Sequence, residues 1–119
     1  MGQSSDSLDH KNFISYRVGF NQYSGGDIIK EIILKSPVLN FMNAFADSMF
    51  EIKSFTMTKV VKGKDPRELI NDKNGFLTED MIMEIEKSPV GTKLYFEHIK
   101  CIDNNNRIYS VNASSFIIN

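Results

Sequence analysis

The chain has 119 residues, the size of one domain, and its apolar content of 41% is enough for a single hydrophobic core. Its 14 basic and 15 acidic side chains leave a net charge of -1, which gives no reason to expect nucleic acid or an anionic membrane as a partner. The single cysteine excludes an internal disulfide and a four-cysteine zinc site, and no apolar run approaches the roughly 18 residues of a membrane span.

The first residues differ in composition from the rest of the chain. Residues 1–11 are rich in Ser, Asp and Gln and are predicted to form a flexible polar tether that includes His10, whereas 12–119 are predicted to form one domain. The opening "MGQSSDSLDH" lacks the apolar segment of a signal peptide. The sequence therefore belongs either to an intracellular protein or to an exported one whose native signal has been removed.

Two segments open the predicted domain. "NFISYRVGF" alternates in polarity, which predicts a strand with Ile14, Tyr16, Val18 and Phe20 facing inward, and "NQYSGGD" then breaks the pattern. "DIIKEIILKSP" places four isoleucines (28, 29, 32 and 33) on one helical stripe, with Asp27 as the cap and Pro37 as the end. A helix is the favoured interpretation, although β-branched isoleucines also suit a strand.

The middle of the chain contains the longest predicted strand. In "MFEIKSFTMTKVV" the apolar phase changes near Lys53 and Ser54, which predicts a β-bulge or a strand that crosses between two layers. "KGKDPRELINDKNG" is predicted to be a loop with a turn of helix at 66–70. "LTEDMIMEIEKSPVG" predicts a helix with Thr78 as N-cap and a buried stripe of Met81, Ile82 and Ile85, followed by a type I turn at 88–91.

The last third of the chain predicts a hairpin and a closing strand. "TKLYFEHIKCI" and "RIYSVNA" flank "DNNN", whose asparagines tolerate left-handed backbone angles, and "SSFIIN" is a short buried strand. The predicted fold class is therefore mainly β, an antiparallel sandwich-like fold with two short helices, borderline α+β.

His98 and Cys101 lie three positions apart on the predicted hairpin strand. Side chains alternate faces along a strand, so the two point to opposite sides unless a bulge intervenes, and Cys101 is expected to be buried beside Tyr95 and Ile99. A strand histidine and a packing cysteine are the favoured interpretation over a catalytic base and nucleophile.

Other candidate sites also have structural interpretations. The acidic group Glu79, Asp80, Glu84 and Glu86 is expected to form a solvated helix face, and the basic group Lys59, Lys62, Lys64 and Arg67 lacks the aromatics of a nucleic-acid site. "SGGD" at 24–27 resembles a phosphate cradle before a helix, but Asp27 would repel an anion. Asn112 begins a short glycosylation sequon. No catalytic, cofactor-binding or metal site is predicted.

Six segments taken in order resemble one known family. They are Ser24-Gly25-Gly26, "FEIKSFTMT", "GKDP" at 63–66, "NGFLTEDM", "GTKLYFEHIK" and the final "SFIIN". Together, from Tyr16 to Ile118, they are similar to the C-terminal domain of the GldM/PorM family, envelope-spanning subunits of the gliding motility machinery and the type IX secretion system.

The resemblance implies a non-enzymatic periplasmic or cell-envelope domain that works through contacts with protein partners, with a homodimer as a further option. The family has no catalytic residues to carry over. Matching positions are structural: turn glycines 25, 26, 75 and 91, and strand residues Tyr95, Phe96 and Ile99, while His98 stands where an Asn is more usual. The chain lacks the membrane helix and middle domains of a full subunit, so it is either a fragment or a small stand-alone relative.

Two alternatives stay open. One is an exported ligand-binding domain for peptide or glycan, using a sheet edge or a groove beside the Gly25-Gly26 turn. The other is a small hydrolase with His98 as base, which requires a Ser, Asp or Cys within hydrogen-bond reach of the imidazole.

Overall fold

The computed structural model describes residues 13–119, so the predicted tether at 1–11 and His10 lie outside the described residues. The strands within this range are β1 (Phe13–Ile14), β2 (Val18–Gly19), β3 (Gly26–Ile28), β4 (Asn40–Phe41), β5 (Glu51–Val60), β6 (Arg67–Asn71), β7 (Lys93–Ile102), β8 (Ile108–Val111) and β9 (Ser114–Ile118). The helices are α1 (Lys30–Lys35), α2 (Ala44–Met49) and α3 (Glu79–Glu86). The mainly β fold class is confirmed, and residues 13–119 form three short helices where two were predicted.

Seven strands form one sheet, and β2 and β4 form a separate two-stranded sheet. The large sheet runs β1, β8, β7, β5, β6, and β9 joins β7 to β3. Most pairings are antiparallel as predicted, but β1 lies parallel to β8 and β3 lies parallel to β9. The first strands of the domain are therefore paired with its last ones.

The core lies on one face of this sheet and is rich in phenylalanine. Phe20 packs edge-on against Phe96 with ring centroids 5.0 Å apart, and Phe116 lies 5.9 Å from Phe96. Edge-to-face pairs of this kind add to the free energy gained by burial alone. In α3, Met81 and Ile85 are completely buried and Ile82 packs against the same core, which confirms the predicted stripe.

The first predicted strand is divided into β1 and β2, which join different sheets. Its inward positions are nevertheless correct, since Val18 and Phe20 are buried and Ile14 and Tyr16 pack against the core. Segment 27–37 also divides, into β3 and then α1. Asp27 pairs with Ile117 within the sheet, and the cap position falls to Ile29, so the predicted Asp27 cap is wrong. Ile29 is 46% exposed and leaves the predicted stripe.

Two predictions for the middle of the chain have opposite outcomes. The register of β5 against β7 shifts on either side of Ser54, which confirms the predicted bulge. The helical turn predicted at 66–70 is wrong, because Arg67–Asn71 is strand β6, paired antiparallel with β5. β6 is an edge strand with mostly exposed side chains, so its sequence lacks the apolar alternation of a half-buried strand.

The turns around β7 and β8 are formed largely as expected. The 103–107 turn closes the predicted hairpin, and Asn106 adopts a left-handed φ of 62°. The turn before β7 comes one residue later than predicted, because Thr92 N donates to Pro89 O at 3.1 Å. Gly91, with φ 93°, then occupies the third position, which is the geometry of a type II turn. Within the described range no helix is long and apolar enough to cross a membrane.

Candidate functional site

His98 lies in a bulge of β7, and Cys101 follows the bulge. Thr56 of β5 pairs with Glu97 and Ser54 pairs with Lys100, so β7 has one residue more than β5 over this stretch. His98 adopts a left-handed φ of 53° and is exposed, whereas Ile99 and Cys101 are buried. The two side chains are therefore separated as predicted, and a His98–Cys101 dyad is not formed.

The bulge also changes which residues share the buried face. Before it the buried positions are Leu94 and Phe96, and after it they are Ile99 and Cys101. The prediction that Cys101 is buried is confirmed, but Tyr95, expected beside it in the core, is only half-buried. Burial raises the pKa of the Cys101 thiol to about 11, with a further increase from the nearby Asp103 carboxylate. Such a thiol carries little thiolate at neutral pH and is a poor nucleophile.

The glycine-rich segment does not form the cradle that a phosphate would need. Gly26 begins strand β3 rather than a helix, and α1 starts only at Lys30. Gly25 lies against β9, where an added Cβ would meet the Ser115 carbonyl oxygen at 3.2 Å. Gly25 therefore permits a close strand approach, whereas Gly26 adopts a left-handed φ of 83° with no atom near an added Cβ. Asn112, the sequon asparagine, is exposed.

Glu84 does not belong to a solvated face. Glu79, Asp80 and Glu86 are exposed as expected, but the Glu84 side chain is only 13% exposed. Its carboxylate accepts a hydrogen bond from Lys59 Nζ at 3.0 Å and lies 2.9 Å from Arg67 Nε. Lys87 Nζ is 3.7 Å away. One member of the predicted acidic group, Glu84, is thus joined in an ion cluster with two members of the basic group, Lys59 and Arg67. Lys87 completes this ion cluster.

This cluster fixes the ionised state of Glu84. The hydrogen bond from Lys59 is the main cause that lowers the pKa of the carboxyl, and the charges of Lys59, Lys87 and Arg67 act in the same direction against the effect of burial. The Lys59 ammonium also donates to the Glu84 backbone carbonyl at 2.9 Å, near the end of α3. A cation at a helix C-terminus stabilises the helix dipole. Lys59 therefore ties β5 to α3.

A different surface lies along β6 and the loop that follows it. β6 is the last strand of the large sheet and, within the described range, pairs only with β5. Its Ile70 side chain is 66% exposed. Exposed apolar side chains on an unpaired sheet edge are features of surfaces that accept another strand.

The loop after β6 is held by the buried side chain of Asn71. Its Nδ2 donates to the Phe76 carbonyl at 2.6 Å and to Asn74 Oδ1 at 3.1 Å, while its Oδ1 accepts from Lys73 N at 2.8 Å. Asn74 Oδ1 in turn accepts from Phe76 N at 2.9 Å. This network fixes the backbone of a loop in which Phe76 is 58% exposed. The aromatic side chain is presented on a rigid support.

A groove of about 570 Å³ adjoins Phe76. Its walls are formed by residues 38–41, 47–52, 74–76 and 102–104, and Met49, 36% exposed, lies among them. The amide oxygen of Asn40 in this wall is buried and accepts no hydrogen bond from the described residues. We call this cavity, together with the exposed side chains of Ile70 and Phe76, the edge groove.

Sequence reasoning did not identify the edge groove, because its walls come from four separate segments. The local signal for its loop was present in "NDKNG", where two asparagines are spaced to bond neighbouring backbone groups. Within the described range no group of three or more His, Cys, Asp or Glu side chains is placed to hold a metal ion.

No model of a known protein family matches the chain, and no curated protein is significantly similar to it.

Proposed function

We propose that this chain is a non-enzymatic protein-protein interaction module of the periplasm or cell envelope, similar in role to the C-terminal domain of the GldM/PorM family. We propose that the edge groove is the surface that receives the partner. The observation that supports this proposal best is the exposure of Ile70 and Phe76 beside the edge of β6, which no strand of residues 13–119 covers. The envelope location rests on the sequence resemblance alone.

The contacts suit an extended segment of a partner protein. A partner strand would bond the free backbone groups of β6, and its alternate side chains would reach Ile70 on one face. The Asn71 network holds the backbone of Phe76 before binding, so little backbone entropy is lost when a partner covers this residue. Rigid aromatic anchors of this kind contribute most of the binding energy at many interfaces.

Site-specific photo-crosslinking tests the proposal. A photoreactive phenylalanine analogue placed at Phe76 is expected to capture an envelope protein, whereas the same analogue at Val90, which is 77% exposed, is expected to capture none. The capture is expected to fall at least fivefold when Ile70 is replaced by Asp in the same chain.

Equal capture from Phe76 and Val90, or capture that Ile70→Asp leaves unchanged, would contradict the proposed surface. If the captured protein is a second copy of this chain, the surface is a homodimer interface, and analytical ultracentrifugation of Ile70→Asp is then expected to show a monomer.

A second candidate is a ligand-binding domain for peptide or glycan. The volume of the edge groove falls within the range of small-molecule sites, and the buried Asn40 oxygen is an acceptor that a ligand donor would satisfy. A thermal-shift screen with short peptides and oligosaccharides distinguishes the two. A stabilising hit that Asn40→Ala removes and Ile70→Asp retains would favour the ligand-binding function.

A further inference from the structure

A second, smaller cavity opens at the other end of β6, beside the ion cluster. Its volume is about 270 Å³, slightly below the usual range of sites for drug-sized ligands. Apart from Val61 and Pro89, every side chain that lines it is charged. The cavity is therefore suited to a small polar ligand.

The charges around this cavity do not balance. Its lining includes the cations Lys59, Lys64, Arg67 and Lys87 and the carboxylates Asp65 and Glu84. Four positive charges against two negative ones leave a surplus of two, in a chain whose net charge is -1. A concave surface lined by charges of mainly one sign concentrates ions of the opposite sign.

Glu84 holds these cations together, yet leaves two of them accessible. Lys59 is buried and bonded to Glu84, but the side chains of Arg67 and Lys87 are 58% and 63% exposed. The Lys87 contact, at 3.7 Å, is the longest of the three. An anion entering from solvent can therefore engage Arg67 and Lys87 without breaking the buried Lys59–Glu84 pair.

We infer that this cavity binds a dianionic oxyanion of the phosphate class, either free or as the phosphoryl group of a larger molecule. A charge of minus two neutralises the surplus, and Arg and Lys side chains are the groups that proteins use to bind phosphate oxygens. The Glu84 carboxylate already contacts these cations, so it competes with an incoming anion for them. This inference does not depend on the edge groove or its partner.

The test is an NMR titration of the full chain with sodium phosphate at constant ionic strength. Saturable shifts are expected for the backbone amides of Lys64, Arg67 and Lys87. Lys87→Gln is expected to weaken binding about fivefold, since it removes one exposed contact, whereas Lys73→Gln, outside the cavity lining, is expected to leave it unchanged.

Glu84→Gln separates the inference from a nonspecific charge effect. It preserves the shape of the side chain and raises the surplus to three, so phosphate is expected to bind about tenfold more tightly. The absence of saturable shifts in both the unmodified chain and Glu84→Gln would overturn the inference, as would equal effects of Lys87→Gln and Lys73→Gln.

The same titration with phosphoserine then tests whether the anion is free or part of a phosphorylated partner. Binding of both phosphoserine and inorganic phosphate at these amides supports a phosphorylated partner, and binding of inorganic phosphate alone supports a free anion. Chemical shifts at Ile70 and Phe76 are expected to stay unchanged in every titration.

Discussion

Two loops border the edge groove, and each is organised by one side chain. The 71–76 loop is held by the neutral amide of Asn71, which is 7% exposed. The 103–107 turn is held by the carboxylate of Asp103, whose Oδ1 accepts from Asn105 N at 2.8 Å and from Arg107 N at 3.0 Å. An amide both donates and accepts, while a carboxylate only accepts, so the two loops respond differently to substitution and to pH.

The two loops differ in the kinds of hydrogen-bonding group that their central side chains bond. Asn71 bonds backbone groups of both kinds, N–H of Lys73 and C=O of Phe76, in a buried position. Asp103 bonds only donors, two backbone N–H groups and the Tyr109 hydroxyl, in a turn whose tip at 104–106 is exposed. The part of the groove wall that includes Phe76 is thus held by a neutral side chain, and the part at 102–104 is held by a charged one.

The largest effect is expected for Asn71→Ala. The substitution leaves the Phe76 carbonyl and the Lys73 N–H without their partner, so the free energy of unfolding should fall by about 2–3 kcal/mol. Urea unfolding monitored by circular dichroism measures the loss. The control Asn105→Ala removes an exposed side chain and should change stability by less than about 0.5 kcal/mol. Equal losses would show that the 71–76 loop contributes no special stability.

Asp103→Asn is expected to lower the urea midpoint by less than Asn71→Ala. The amide oxygen retains one acceptor for the turn, and water reaches the backbone groups at 104–106 that are released. The same unfolding experiment compares the two variants directly, with Asn104→Ala as the matched control in the turn. A larger loss than that of Asn71→Ala would reverse the ranking of the two loops.

The two loops should also differ in their dependence on pH. The backbone N–H of Arg107 is the main cause that lowers the pKa of Asp103 in the folded chain, and Lys59 does the same for Glu84. A lowered pKa contributes stability above the unfolded value of about 4, and this contribution is lost as the pH falls through the folded pKa. The unmodified chain and Asn71→Ala should therefore lose stability in parallel below about pH 4. Asp103→Asn should show a shallower decrease, and an unchanged slope would contradict the role of Asp103.

The smallest effect is expected at Cys101, next to the end of β7. Its buried thiol, with a pKa of about 11, should react with iodoacetamide at pH 8 far more slowly in the folded chain than in urea. Asp103→Asn should increase the folded-state rate a few fold, because it removes a charge that raises the thiol pKa and loosens the adjoining turn. Asn71→Ala, although less stable, should increase the folded-state reaction rate of Cys101 less than Asp103→Asn does. Rapid labelling of the unmodified chain would contradict the burial of Cys101.

The elements predictable from sequence are those with strong local signals. Thr78 precedes an apolar helical stripe and accepts from Met81 N at 3.2 Å, so α3 was identified with its cap. The change of apolar alternation near Ser54 predicted the bulge in β5. α2 had a comparable signal in Asn43, whose side chain accepts from Ala46 N, but its six residues are too few for a clear apolar period.

The features that sequence reasoning missed depend on distant partners. β6 is a strand because β5 provides its hydrogen bonds, while its own composition is polar. The Glu84 side chain is largely buried because Lys59 and Arg67, remote in sequence, supply its counter-charges. The bulge at His98 changes which alternate positions of β7 face the core. Tyr95, predicted to be buried with Cys101, is therefore only half-buried. The edge groove is assembled from four segments, and only its 71–76 loop had a local signal, in "NDKNG".

The parallel pairing of β1 with β8 and of β3 with β9 has a consequence for biosynthesis. The ribosome synthesises β1 and β3 long before β8 and β9, their parallel neighbours in the sheet. These two segments therefore lack those partners while the central hairpins form. The final residues then close the structure, since Ile118 N donates to Thr92 O and Asn119 N donates to Ile28 O, both at 2.8 Å. Non-local pairings of this kind slow folding. The domain therefore completes its strand pairings only after β9 has left the ribosome.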